Sequence, residues 1–452
     1  MPRTLKVAVI GAGASGVATA YYLKQAGYSH ITLFEKSDRI GGKCLTVKHG
    51  NHEFDLGANY ITPYYHEVLR IAKELDLKTQ PAPQRKSFDL TTGNFLNTLR
   101  TTLMGKSFLK FGAASAKYLY LAFKYRKQID QPGFTALEAC PELCHPFGKW
   151  LDINGMSILR QLFLIPVTIF GYGALDDVPT PYVLKYMDAK NFLLLARVGA
   201  GLSKEWPRHF LDGYQGFLEA ITRSEQLDVR LDTHIVSIKR TPNVVIGLAD
   251  GTLHEFDRIV FACPLDKVLP IISDASQQEK DLLQRIKYRN YYVSACDVEG
   301  MLDITTDEIQ LPPAKPLPAL GHPWGIVKFW KNSDINLFFT VGDGEDKDKS
   351  LKSSDTPAIS SRVVEANIRA DVKRMGGEFK SMVDQQLWTT FFPHVEAADF
   401  IDGYYQQLEL QQGKLNSYYV GAIMALELVE PIFNYSKQLV EQHFNPQTEV
   451  QG

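Results

Sequence analysis

A chain of 452 residues, 45% hydrophobic and 22% charged, has the composition of an ordinary globular protein and is long enough for two lobes. Its 49 basic and 51 acidic residues leave a formal net charge of −2, which argues against a nucleic-acid partner. The longest apolar stretch, Leu162 to Phe170, is interrupted by Pro166 and too short to span a bilayer.

The first element in the chain is an apolar run, Val7 to Ile10, that breaks at Gly11 into a G-x-G-x-x-G turn closed by Gly13 and Gly16. A helical pattern runs from Ser15 toward Gln25, and a second apolar run, Ile31 to Phe34, ends on Glu35 and Lys36. Strand, glycine turn, helix, strand and acid in this order predict a dinucleotide-binding βαβ unit. Gly11 permits the tight turn, Gly13 lets the backbone approach a pyrophosphate, and Gly16 allows helix and strand to pack closely. The amides at the helix start, around Ala14 and Ser15, offer N–H groups and a partial positive charge to phosphate. Glu35 stands where a carboxylate can accept the ribose hydroxyls.

Further along, residues from about Thr98 to Gln128 have helical spacing. Leu103, Phe108, Phe111, Tyr118, Leu121 and Phe123 are interleaved with Lys106, Lys110, Lys117, Lys124, Arg126 and Lys127. A long surface helix is the preferred reading, with transient contact at a membrane surface as the alternative. Residues 228–263 alternate as strands, with a hairpin turn at Asp250-Gly251. Short strands recur between about 290 and 390, separated by loops at Pro312 to Pro323 and Glu345 to Lys349. The chain closes with a short strand from Ser417 that ends at Gly421, and a helix from about Val429 to His443.

A second glycine pair with a basic residue (R-I-G-G-K, Arg39 to Lys43) and F-D-L-G-A-N (Phe54 to Asn59) follow the βαβ unit. With them the chain resembles the flavin-containing amine oxidase superfamily. The stretches Ile165 to Asp188, Trp388 to Val395, Gly403 to Tyr405, Gln412-Gly413 and N-Y-S-K-Q-L-V are similar to those of bacterial polyenoic fatty acid isomerases. The resemblance implies an α/β fold with a Rossmann-like FAD-binding domain of amine-oxidase type, a discontinuous substrate domain and a helical insertion. The expected FAD-binding segments are 1–89, 205–289 and 391–452, with the insertion at 90–204 and the substrate domain at 290–390. Gly42 and Lys43 would close over the pyrophosphate, and Gly57, Ala58 and Asn59 would pass beside the isoalloxazine. Backbone near Ile235 would meet the adenine. Gly421 would approach the pyrophosphate, and the helix start at Val429 would face the flavin pyrimidine. Ala422 departs from the pattern, standing where an acid is usual.

The same resemblance implies removal of a hydride from an allylic methylene to flavin and its return to another carbon, which conjugates the double bonds of an unsaturated fatty acid. Arg85 or Lys86 would anchor the substrate carboxylate. Phe170, Tyr172, Phe192 and Leu195 are channel candidates, although residues of these types are more often simple core. His394 is read as a core histidine rather than an acid–base group, and Trp388, Tyr404 and Tyr405 as flavin-walling or packing aromatics. FAD is expected to be non-covalent, because no cysteine follows Cys296. Cys44, Cys140, Cys144, Cys263 and Cys296 form no C-x-x-C pair, and a short polar start precedes Val7. Both suit a cytoplasmic chain without a structural metal. An oxygen-using amine oxidase or desaturase, and a degenerate FAD-fold binding protein, are the competing readings.

Overall fold

The computed structural model describes residues 3–82, 84–89, 94–96, 107–199, 207–301, 307–310, 320–344 and 358–445. Strand β1 (Arg3–Ile10), helix α1 (Ala14–Gln25) and strand β2 (Tyr28–Phe34) form the expected βαβ unit. Val7, Ala8 and Val9 are wholly buried, as a strand covered on both faces requires. β1 is flanked by β2 on one side and Arg258–Phe261 on the other. Ser417–Tyr419 and Asp228–Arg230 complete a five-stranded sheet in which every neighbouring pair is parallel. Three segments far apart in sequence therefore build one sheet.

Helix α1 is alanine-rich, buried from Ser15 to Leu23, and packs against the C-terminal helix Val429–His443. It stops at Ala26, where Gly27 takes the left-handed conformation (φ 91°) that an α-helix C-terminus favours. The strands Ile235–Lys239, Val244–Leu248 and Leu253–Phe256 form a small antiparallel sheet. Its Asp250-Gly251 turn lies where the sequence pattern places it.

The second large sheet has seven strands in the order Glu378–His394, Lys287–Glu299, Ile335–Val341, Pro323–Val327, Asp307–Gln310, Gln84–Asp89, Asn94–Leu96. One face packs on helix Ser361–Arg374 through Tyr292, Phe338, Val364 and Ile368. The other packs on Phe54 and Leu56 of the F-D-L-G-A-N segment through Tyr291, Trp324 and Leu337. Gln84–Asp89 runs parallel to Asp307–Gln310. The first expected FAD-binding segment, drawn to residue 89, thus gives its last strand to this second sheet.

From residue 107 the described part of the insertion is helical, whereas Asn94–Leu96, inside its expected range of 90–204, is a strand of the second sheet. The insertion's long helix spans Phe108–Lys124, breaks at Tyr125 and resumes as Arg126–Ile129, within the stretch whose spacing predicts a helix. Residues 97–106 lie outside the described residues, as do 311–319 and 345–357, which hold most of the two expected loops. The apolar stretch Leu162 to Phe170 continues a short helix into one wide π-turn, Ile165–Ile169.

Candidate active site

Glycine backbones set the geometry at the start of α1. A Cβ on Gly16 would lie 1.9 Å from the Gly11 carbonyl oxygen, so only glycine lets α1 seat on β1. Gly42 (φ 56°) passes so close that its Cβ would lie 3.0 Å from the Gly13 Cα, and Gly41 N–H donates to Ala12 O at 2.9 Å. Arg39 Nη2 donates to Gly42 O at 2.8 Å and so fixes the second glycine turn. From the other side, Gly421 (φ 119°) approaches within reach of the Ser15 hydroxyl. Gly13 caps α1 without a side-chain bond, and the first intrahelical bond runs from Val17 N–H to Gly13 O. The amides ahead of Val17 carry no helical partner, so the cradle fits a phosphate anion.

At the end of β2, Glu35 is buried and its carboxylate is fully oriented. Oε2 accepts from Ala12 N–H (2.8 Å), and Oε1 from Ser37 N–H (3.0 Å) and its hydroxyl (2.8 Å). The Glu35 backbone bonds Arg230 O and Thr233 N–H, which brings the chain leading to Ile235 beside it. Lys36 is exposed.

Lys43 does something its motif did not announce. Its Nζ pairs with Glu427 Oε2 at 2.7 Å, and the same oxygen accepts from Phe392 N–H at 3.0 Å. This half-buried pair ties the glycine turn to the approach of the C-terminal helix. Two non-glycine residues beside it hold uncommon backbone conformations, Phe392 at φ 46° and Leu426 at φ 121°. Such strain costs about 1–3 kcal/mol per residue and persists only where the surroundings over-determine it. The helix Val429–His443 also starts without a side-chain cap. Its first-turn acid, Glu430, instead accepts from Glu67 N–H and Val68 N–H (both 3.0 Å).

The D-L-G-A-N turn is locked from beneath. A Cβ on Gly57 would lie 1.8 Å from Lys43 O. Asp55 accepts from the Thr46 hydroxyl (2.6 Å) and Tyr214 N–H (3.0 Å), while burial raises its pKa to about 7. Ala58 N–H donates to Lys43 O at 3.2 Å, and Asn59 is buried at the end of the turn.

An aromatic wall stands next to this turn. Tyr291 and Phe391 stack at 4.7 Å, Tyr172 lies parallel to Phe391 at 6.3 Å, and Phe170 meets Tyr60 edge-on at 6.4 Å. Gly171 and Gly173 carry the insertion against the second sheet, since a Cβ on Gly171 would meet Tyr291 at 2.6 Å. Phe192 makes its ring contacts elsewhere, with Tyr118 at 4.7 Å and Phe163 at 5.8 Å in the insertion core. Leu195 is partly buried against the main core. Arg85 and Lys86 occupy strand Gln84–Asp89, in register with Glu308 and Ile309. Their side chains lie outside what the structure describes.

Trp388 donates from Nε1 to Leu56 O at 2.8 Å and thus lies beside the D-L-G-A-N turn. Tyr404 and Tyr405 do not join it. They pack with each other, and Tyr405 also packs on Phe134 and Phe400 and shares a 2.6 Å hydrogen bond with the Tyr182 hydroxyl.

His394 is buried and donates from Nδ1 to Phe392 O at 2.7 Å. Burial first, and then the charge of Arg289, hold its pKa down at about 3, so the ring stays neutral near pH 7. The folded pKa lies below the unfolded value of about 6.5. The stability this residue contributes is present above about pH 6.5 and lost as pH falls toward 3. Urea midpoints of the wild type should therefore drop more steeply from pH 6.5 to 4 than those of His394→Asn. Parallel curves would show that the histidine does not carry this dependence.

Sequence reasoning missed Glu427, Phe391, Tyr291 and Tyr60. Phe391 lies inside a stretch that drew attention as a whole, but no spacing marks Glu427 as a partner of Lys43.

A family model described as flavin-containing amine oxidoreductase matches residues 14–298. The crystal structure of a CLA-producing fatty acid isomerase from P. acnes superposes with a TM-score of 0.85 at 26% identity, covering 98% of this chain and 100% of that one. Cyclohexylamine oxidase from Brevibacterium oxydans shares the fold, with a TM-score of 0.69 at 16% identity over 97% and 98% of the two chains. The FAD-dependent oxidoreductase oblC of Cochliobolus heterostrophus is 24% identical over 96% of this chain and 89% of its own length. Rat flavin-containing amine oxidase B is 41% identical over 80 residues, which are 18% of this chain and 15% of that protein.

Proposed function

The chain belongs to the flavin-containing amine oxidoreductase family, and from that premise we propose that this flavoenzyme is an FAD-dependent isomerase of unsaturated fatty acids. The observation that carries the reading is the full-length likeness to a fatty acid isomerase, whose TM-score stands well above that of the amine oxidase structure. When bound, FAD supplies reversible two-electron chemistry, taking a hydride from an allylic carbon and giving it back at another.

The chain's own residues supply position and environment. Gly11, Gly13, Ala14, Ser15, Gly16, Gly42 and Gly421 present backbone to the pyrophosphate. Glu35 would take the ribose hydroxyls, with Lys36 and Ile235 toward the adenosine end. Gly57, Ala58 and Asn59 would flank the flavin ring, and the Val429 amide would serve its pyrimidine end. Lys43, through Glu427, holds the glycine turn to the helix that carries Val429. Phe170 and Tyr172, with Phe391 and Tyr291 behind them, line an apolar wall that orients a hydrocarbon chain and excludes water. Arg85 or Lys86 anchors the carboxylate from the second sheet. No proton needs to move in a hydride shift, and a neutral His394 is consistent with that.

The test is incubation of the purified flavoprotein with polyunsaturated fatty acids while conjugated-diene absorbance is followed. Isomerase activity raises it, and Arg85→Gln or Lys86→Gln should raise KM for the free acid by about tenfold or more. Absence of a diene together with amine-dependent peroxide release would assign the chain to the oxidases instead. A colourless protein that binds no added FAD would leave only a binding role.

A further inference from the structure

The helix Phe108–Lys124 buries only one side of itself. Ala114, Tyr118 and Ala122 face the insertion core, with the Tyr118 hydroxyl donating to Met187 O. At 100° per residue, Phe108, Leu109, Ala116, Tyr120 and Phe123 fall on one outward strip, with Gly112 and Ala113 between them. Phe108 is 69% exposed, Leu109 83%, Tyr120 66% and Phe123 63%. A surface helix of a globular protein ordinarily turns polar residues outward. Here the outward strip is apolar, and such a contiguous patch marks an interaction site.

Lys110, Lys117 and Lys124, spaced by seven, form a row along one edge of that strip, and all three are exposed. Lys117 reaches Asn154 O, and Lys124 the hydroxyl of the adjacent Tyr125, which itself donates to Glu142. Arg126 and Lys127 extend it past the break, and no acid occurs from Ser107 to Ile129. The whole chain carries −2, so the positive charge is local.

We propose that this face is a docking surface for an anionic lipid bilayer. Aromatic and aliphatic side chains enter the headgroup boundary while the lysine row meets the acidic headgroups. An apolar strip bordered by lysines matches the interfacial plane, where one side is wet and charged and the other is hydrocarbon. The helix lies flat rather than crossing, since no helix among the described residues is long and apolar enough to span a membrane. This inference does not depend on the fatty-acid reading, because docking is measured without turnover.

The flavin-loaded protein is sedimented with phosphatidylcholine vesicles, with and without phosphatidylglycerol. Binding should require the anionic lipid, weaken with added salt, and drop by about tenfold or more in Phe108→Ser/Leu109→Ser/Phe123→Ser. Lys110→Glu/Lys117→Glu/Lys124→Glu should remove the preference for phosphatidylglycerol. The three apolar side chains point outward, so the serine variant should keep the wild-type flavin absorbance and melting temperature, while the glutamate variant, which gives up the Lys117 and Lys124 hydrogen bonds, should keep its flavin absorbance. Absence of binding, or equal binding by the serine variant, overturns the proposal. So does self-association of the wild type that the serine substitutions abolish, which would assign the face to a second copy of this chain.

Discussion

Gly16→Val is expected to give a protein that retains no flavin and is destabilised by about 3 kcal/mol or more. The first added carbon already lies 1.9 Å from the Gly11 carbonyl oxygen, far inside the 3.0 Å that real Cβ atoms keep. The obstacle is backbone, which cannot rotate aside as a flexible side chain would. α1 must therefore lift from β1, and that opens contacts in a layer where Val7, Ala8, Val9 and Val17 are wholly buried. Lifting α1 also moves its uncapped amides away from Gly42 and Gly421, so stability and cofactor binding should fail together. Gly112→Ala is the control: its Cβ meets nothing within 4 Å on an exposed helix face. It should keep its flavin and gain up to about 1 kcal/mol from helix propensity. The two are distinguished by flavin absorbance and urea unfolding. A Gly16→Val protein with full flavin and a wild-type midpoint would contradict the packing described for this turn.

Glu35→Ala should lower FAD affinity by about a hundredfold or more while leaving the fold in place. Two losses combine. The carboxylate proposed to accept the ribose hydroxyls is gone, and the amide of Ala12, a wholly buried residue, loses the only acceptor described for it. An unpaired buried amide costs about 1–3 kcal/mol, and it sits one residue before Gly13 in the phosphate turn. Ala422 brings no carboxylate to the opposite side, so on the proposed site Glu35 should carry more of the binding than it would in a chain with an acid there. Glu35→Gln, which keeps an acceptor for Ala12 N–H, should fall between. Fluorescence titration of stripped protein with FAD measures all three. Equal dissociation constants for wild type and Glu35→Ala would remove Glu35 from the site.

Local signals carried much of the fold. The glycine spacing, the helix to Gln25 and the acid after Phe34 lie within a few residues of one another, and β1, α1 and β2 formed where they indicated. The C-terminal helix spans Val429–His443 for the same reason. Parallel pairing of Gln84–Asp89 with Asp307–Gln310 joins residues more than two hundred positions apart, and periodicity contains no information about it. The Lys43–Glu427 pair, 384 positions apart, was hidden in the same way.

Left-handed glycines can be anticipated, but the positive φ of Phe392 and Leu426 could not, because ordinary residues there leave no mark in the sequence. Phe192 and Tyr172 looked alike as aromatic channel candidates. Burial does not separate them, and only their neighbours do: Tyr118 and Phe163 around one, Phe391 and Phe392 around the other. The outward apolar strip of Phe108–Lys124 was obscured because lysines and apolar residues alternate along the chain. Fixing which face is buried resolves them into a strip and its border.

Redox balance distinguishes an isomerase from an oxidase more sharply than substrate choice does. Purified, flavin-loaded protein is mixed anaerobically with a large molar excess of polyunsaturated fatty acid and no electron acceptor. A cycle that returns the hydride to the substrate predicts many conjugated products per flavin, a flavin spectrum that ends oxidised, and no peroxide when air is admitted. One product per flavin at most, a bleached flavin that recovers only with oxygen, and peroxide matching the product would contradict the proposed function.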